Sequence, residues 1–480
     1  VSIILNGDFF GPNGDATPDV TYGRDRAGNL DDTDREYTAS GCVVNSQTQI
    51  TCNTGVGVGA GLKWQVRFEA TVVSLVLESP TTSYADPSIT GASAIGSSTI
   101  LTVGSSTSMS VTLTGNDFGP TCTGCVVGKY GPTAGTKYGD VTCNVITGHT
   151  VVQCPTVAGV GAGQKWIVTR QSLSSLVSSA TVDYTPPSIS SLSGVAADSA
   201  STTLGNEAIV INGANFGPAG HNDGLQVVYG RDSQQQRYTA TGCTIVSQTK
   251  INCNTAPGIG FSLKWIVTVA SQISGRSSDA TAYLEPILTG LSGAAVDGTS
   301  PSNGGMAIIL HGNYFGPDGN DPNDVTVKYG RAGNLNEYTA RSCSVVSQTT
   351  INCETNDGVG LDLKWKVVIG GQQTTSLTTP TTTYALPTIT GLSGDAVNTP
   401  SVTQGGVELI IDGTNFGPVT NNLVAAYYGR YGSPCKVKAG GTNSDCASAT
   451  ADATTCAAVT TSGGSGNAAN ACVFEYTTAS

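Results

Sequence analysis

Three unrelated motifs recur in this chain at one interval, and that interval sets the size of the unit it can fold into. A turn-like Gly-x-x-Phe-Gly-Pro segment places Phe at positions 10, 118, 216, 315 and 416, with spacings of 108, 98, 99 and 101 residues. A Tyr-Gly pair follows each, at Tyr22, Tyr130, Tyr229, Tyr329 and Tyr428. Tryptophan occurs only as Trp64, Trp166, Trp265 and Trp365, spaced 102, 99 and 100 residues apart. Self-similarity at a fixed period marks a tandem array. The expected repeats are 1–85, 86–185, 186–284, 285–385 and a divergent, Cys-rich 386–480.

Inside each repeat the local period is two, the signal of half-buried strands. Ile3 and Leu5 correspond to Val111 and Leu113, Ile209 and Ile211, Ile308 and Leu310, and Leu409 and Ile411. The same alternation follows the tryptophans, as in Trp265-Val267-Val269, with Lys63, Lys264 and Lys364 beside them and expected to face water. Gly and Pro clusters punctuate the strands, and no segment has a sustained helical period. The pattern predicts an all-β chain of tandem β-sandwiches. The short Tyr-x-x-Pro linkers at Pro87, Pro187, Pro286 and Pro387 predict stiff joints and a rod.

Charged residues are 12% of the chain and the net charge is −12, which offers no basic field to nucleic acid or anionic lipid. No run approaches the roughly 20 apolar residues of a membrane span. The 14 cysteines, recurring at fixed spacing, point to an oxidising, extracellular compartment. The opening at Val1, with neither Met nor a signal pattern, reads as a processed or truncated segment.

The order Pro-x-Ile-Thr-Gly-Leu-Ser-Gly, Gly-Gly, Asn-Phe-Gly, Tyr-Gly, a Cys pair and Gly-Val-Gly-x-x-Leu-x-Trp-x-Val resembles the IPT/TIG family. It is clearest at Pro387–Gly394, Gly405–Gly417 and Gly358–Val367. The resemblance implies early-set immunoglobulin-like sandwiches and no shared catalysis. The first repeat lacks the Pro-x-Ile strand, and the fifth lacks the Trp strand.

The chemistry in the sequence is chiefly sulfur. Cys42 with Cys52, Cys243 with Cys253 and Cys343 with Cys353 enclose nine residues each, and Cys143 with Cys154 encloses ten. Two short strands around a polar turn bring such pairs within bonding distance. Cys122 and Cys125 read as a local bridge; a zinc ribbon with Cys143 and Cys154 is the alternative. Cys435, Cys446, Cys456 and Cys472 allow three connectivities, of which 435–446 with 456–472 is favoured.

Other candidates read as structural. The Gly55–Gly61 and Gly159–Gly163 runs loosely imitate a dinucleotide loop but precede a strand, so they are inter-strand loops. One Trp per repeat at a fixed strand position is a core filler. Asp318, Asn320, Asp321 and Asp324 form an oxygen-rich stretch, a weak calcium candidate beside the solvated-loop reading, as does the acidic run from Asp15 to Glu36. His149, His221 and His311 fall in separate repeats, so no catalytic residue and no cofactor is expected. No Asn-x-Ser/Thr sequon occurs; Thr374 to Thr383 could carry O-glycans.

The functional expectation is an extracellular structural or adhesive repeat protein, a surface or secreted filament subunit joining copies of itself head to tail. Val1, Ile3 and Leu5 at one end and Phe474 and Tyr476 at the other would make the strand-complementing contact. A ligand-binding receptor ectodomain, or the stalk of a larger adhesin, is the alternative, with glycans or surface proteins as possible partners.

Overall fold

A computed structural model of the chain describes residues 1–14, 17–25, 35–68, 72–73, 76–95, 110–133, 135–318, 324–377, 379–399, 406–419, 426–428 and 476–477. The chain divides into two compact units, Val1–Glu285 and Pro286–Ser480. It is nearly all β, in antiparallel sheets that pack as immunoglobulin-like sandwiches.

Residues 186–284 show the plan in full. One sheet has the order Ser188–Ser193, Ala208–Ala214, Lys250–Asn254, Thr241–Ser247. The other has the order Gln234–Thr239, Gln226–Arg231, Leu263–Val269, Gln272–Ile273, with Ala280–Thr281 also pairing with Leu263–Val269. Alternate residues of each strand face inward, as the period of two requires. Ile209, Ile211 and Ile251 from the first sheet meet Val227, Tyr229, Trp265 and Val267 from the second. Residues 286–385 repeat these two sheets, from Ile287–Ser292 to Gln372–Gln373, with the single Leu363–Thr382 bridge in place of the Ala280–Thr281 strand.

The first repeat has the same sheets with one difference. Among the described residues Ser2–Asn6 pairs only with Gln49–Asn53, whereas Ala208–Ala214 and Ala307–Asn313 also carry a first strand on their other edge. Within 386–480 the described residues form two antiparallel pairs, Thr388–Ser393 with Ile410–Thr414 and Tyr427–Tyr428 with Tyr476–Thr477.

The second repeat departs from the plan. Tyr138–Thr147 is one unbroken strand that pairs with Cys122–Gly131 on one side and Val151–Pro155 on the other, so a single seven-stranded path replaces the two sheets. Elsewhere that strand breaks at Ala39, Ala240 and Ala340, whose N–H donates across to Val20, Val227 and Val327. A left-handed residue (Gly41, Gly242 or Ser342) then bulges the chain into the other sheet. In the second repeat the left-handed residue is Asp140, and the strand continues past it.

Three single-turn helices were not expected from the sequence: Val195–Asp198, Ala294–Asp297 and Asp395–Asn398. Each follows a glycine at φ 94 to 101°, the last residue of the first-strand motif. One turn is too short to leave a helical period in the sequence.

Candidate functional site: the aromatic clamp and its loop

The Tyr-Gly and Trp motifs are cross-strand neighbours. Tyr22 lies opposite Trp64, Tyr130 opposite Trp166, Tyr229 opposite Trp265 and Tyr329 opposite Trp365. Facing residues on one sheet face are close enough to stack. The four ring pairs do so with centroids 4.1–4.3 Å apart. The tryptophans are 0–2% exposed, at the centre of each core. Two further tyrosines complete a quartet. Tyr238 tilts against Tyr229 and meets Tyr283 edge-on, and Tyr37 with Tyr84, Tyr138 with Tyr184 and Tyr338 with Tyr384 do the same. Such contacts contribute about 0.5–1.5 kcal/mol each beyond their buried area.

The hydroxyls grip the Gly-x-Gly loop. The Ala256 N–H donates to Tyr229 (2.8 Å), the Tyr229 and Tyr283 hydroxyls are 2.7 Å apart, and Tyr283 donates to the Ala256 carbonyl (2.5 Å). A single peptide residue therefore has both polar groups held by two tyrosines. Gly55, Val157 and Asn356 are held in the same way in the other repeats. The third tyrosine does this alone: Tyr238 accepts from Ile259 N–H (3.0 Å) and donates to its carbonyl (2.9 Å). Tyr37, Tyr138 and Tyr338 hold Val58, Val160 and Val359.

Burial pushes the Tyr229 hydroxyl up to about 12, and burial with the neighbouring Tyr229 pushes Tyr283 higher. Both therefore stay protonated and able to donate. The loop glycine is required by close approach: a Cβ on Gly258 would stand 2.7 Å from the Tyr283 hydroxyl and 2.8 Å from the Tyr238 ring. Gly159 and Gly358 are confined by the same rings.

The repeated cysteines are bonded as cross-strand pairs. Cys42–Cys52, Cys243–Cys253 and Cys343–Cys353 have Cα atoms 4.1–4.2 Å apart, brought opposite by the bulge. Cys143–Cys154 spans 4.3 Å between directly paired strands, and Cys122 is bonded to Cys125. Cys435, Cys446, Cys456 and Cys472 lie outside the described residues.

The remaining candidates are scattered. Among the described residues no group of three or more His, Cys, Asp or Glu is placed to hold a metal ion. Asn320 and Asp321 lie outside the described residues. Phe474 is outside them as well, and Tyr476 is described only as a strand residue facing Tyr428. Val1 is 96% exposed, but Leu5 is only 7% exposed and Ile3 packs beside it in the first repeat's own core. Those two are therefore not free to insert into a neighbour. Lys63, Lys264 and Lys364 are half-buried. Thr374 and Thr382 are buried, their hydroxyls bonded to the Val367 N–H and the Trp365 indole, so they are no sites for glycans.

One contact has a catalytic look. Ser292 Oγ lies 2.7 Å from His311 Nε2. The pair is exposed on two adjacent strands, and its counterparts are Ser193 with Asn212 and Ser393 with Asp412. The position takes an imidazole, an amide or a carboxylate alike, which is the behaviour of a cross-strand tether.

Residues 296–384 match the IPT/TIG domain family. No curated protein matches the chain. Among solved structures, the full extracellular region of plexin A4 is 12% identical over 80% of this chain and 48% of its own, with a TM-score of 0.22. The chain thus spans about half the length of that ectodomain. The Escherichia coli adhesin FdeC is 11% identical over 62% of this chain and 98% of its own, with a TM-score of 0.19. Invasin, a bacterial integrin-binding protein, is 12% identical over 83% of this chain and 82% of its own, with a TM-score of 0.20. Likenesses at these TM-scores carry nothing about activity. Residues 296–384 are an IPT/TIG domain, and the three repeats before it share its aromatic quartet, gripped loop and cross-strand disulfide.

Proposed function

We propose that the chain is a non-catalytic, extracellular repeat segment that serves a surface or secreted protein as a structural or adhesive element. The observation that carries this reading is the fourfold quartet. Each Trp and each clamp Tyr is occupied inside its own repeat, so the aromatic residues that would otherwise make a ligand platform are structural. A disulfide in each of the first four repeats suits an oxidising compartment. The test is maleimide labelling and protease shaving of intact source cells. The expected result is a chain that is cut from outside, or recovered in the medium, with its paired cysteines unlabelled. A protein retained inside with free thiols overturns the proposal.

The finer reading is that copies join end to end by strand addition. The second edge of Ser2–Asn6, which no described residue pairs with, supports it, with Ile4 exposed there. Because Ile3 and Leu5 face their own core, this strand is the acceptor and an incoming strand of the Pro-x-Ile-Thr-Gly-Leu-Ser kind is the donor. Sedimentation across a concentration series, with and without a peptide of residues 386–394, tests it. Association that the peptide competes away is expected; a chain that stays monomeric at every concentration excludes it.

A further inference from the structure

Three of the tyrosine-held residues, Val58, Val160 and Val359, point out of their own repeats as knobs. Within Val1–Glu285, Val58 packs on Gly119 and Val160 packs on Gly217, so closely that a Cβ on either glycine would collide with it. Within Pro286–Ser480, Val359 stands against Gly417 in the same way, 2.7 Å from where a Cβ would lie. Each glycine belongs to the Phe-Gly-Pro turn of the following repeat and has φ between 82 and 98°. Val160 is counted among the core residues of the repeat after its own.

Between the second and third repeats a side chain closes this contact. Gln272, 9% exposed, sits in the hairpin after the third repeat's Trp strand. Its Nε2 donates to the Tyr184 carbonyl (2.6 Å) and its Oε1 accepts from the Gly161 N–H (3.1 Å). Both bonds cross to the second repeat, one to its last tyrosine and one to the residue beside the knob. A buried primary amide with both ends satisfied by another repeat is costly to expose only partway, because each end then loses its partner before water can replace it. The Lys137–Asp223 ion pair (3.1 Å) also crosses, but it is exposed and adds little.

We propose that these contacts form a repeat-to-repeat lock. The partner surface is the Phe-Gly-Pro turn of the next repeat, the key is the tyrosine-held aliphatic knob, and Gln272 is the latch that makes the second and third repeats one body. The glycine is the specificity element, since any side chain there removes the seat.

Hydrogen–deuterium exchange on the full chain tests this, because the Gly161 amide reports docking directly. In the parent protein the 159–163 segment should be protected like the neighbouring strands. Gln272→Leu, which keeps the side chain's bulk and removes both bonds, should speed exchange there by about tenfold, as local opening does, with the Trp265–Val269 strand unchanged. Should Gln272→Leu disturb that strand, Val160→Ser opens the lock from the other side without any substitution in the third repeat's own strands. Fast exchange at 159–163 in the parent, or protection unchanged in a variant whose strands are intact, overturns the lock.

Discussion

The second and third repeats bury the same quartet around differently connected sheets. In the third, the chain breaks at Ala240 and bulges at Gly242 to cross between sheets; in the second, Tyr138–Thr147 runs straight through. The stacked Tyr–Trp pair, the gripped loop and the cross-strand disulfide are nevertheless superimposable in kind, with ring centroids 4.3 and 4.1 Å apart. Sheet connectivity is therefore a tolerant feature of this fold, and the aromatic cluster is the fixed one. A second difference lies inside the cluster. The Trp265 indole donates to Thr281 (3.0 Å), and those of Trp64 and Trp365 donate to Thr82 and Thr382. In the second repeat the matching residue is Val182, and the buried Trp166 indole finds no acceptor among the described residues.

The harshest way to break the comparison is to remove the shared element. Trp166→Ala and Trp265→Ala should each cost about 3–5 kcal/mol, read as a loss of midpoint in denaturant unfolding. If the continuous sheet rescued the second repeat, Trp166→Ala would cost far less, and the cluster would not be the fixed element.

The disulfides separate the repeats next. Replacing either pair by alanine should cost about 2–3 kcal/mol through the loop it closes. Their susceptibility should differ, because Cys143 and Cys154 are both fully buried whereas Cys243 is half-exposed. Stepwise reduction with alkylation should open Cys243–Cys253 first. Opening in the reverse order would mean that the second repeat's sheet is less closed than its pairing indicates.

The smallest effect is the most specific. Thr281→Val should destabilise the third repeat by about 1–3 kcal/mol, the cost of a buried donor left without a partner. Val182→Thr should stabilise the second by about 1 kcal/mol by supplying one. Equal and negligible shifts from both exchanges would show that the indole bond is immaterial.

Much of this was legible because the repeats report on one another. Phe, Tyr and Trp recur at matched intervals, so the strands that carry them could be aligned without any other sequence. The third tyrosine, at 37, 138, 238 and 338, is equally periodic, always five residues before the first repeated Cys, but Tyr is a common strand residue and so gives no separate signal of the clamp. The crossing of the second repeat was harder to see. It depends on Gly139-Asp140 standing where the others have Thr-Ala, and a left-handed Asp in a continuing strand has no pattern of its own. The outward knobs were hidden for another reason: Val58 and Val160 read as ordinary loop aliphatics until the next repeat's glycine is placed beside them.

The tyrosine grip recognises a peptide bond and ignores what hangs from it. Glycine, valine, alanine and asparagine occupy the same gripped site in successive repeats, and Val157 is 44% exposed to solvent. The site is thus indifferent to sequence at the point where the backbone is most firmly held. A lineage, or an engineer, can therefore place a new chemical group there, on a rigid mount at the tip of a repeat, without renegotiating the core beneath it.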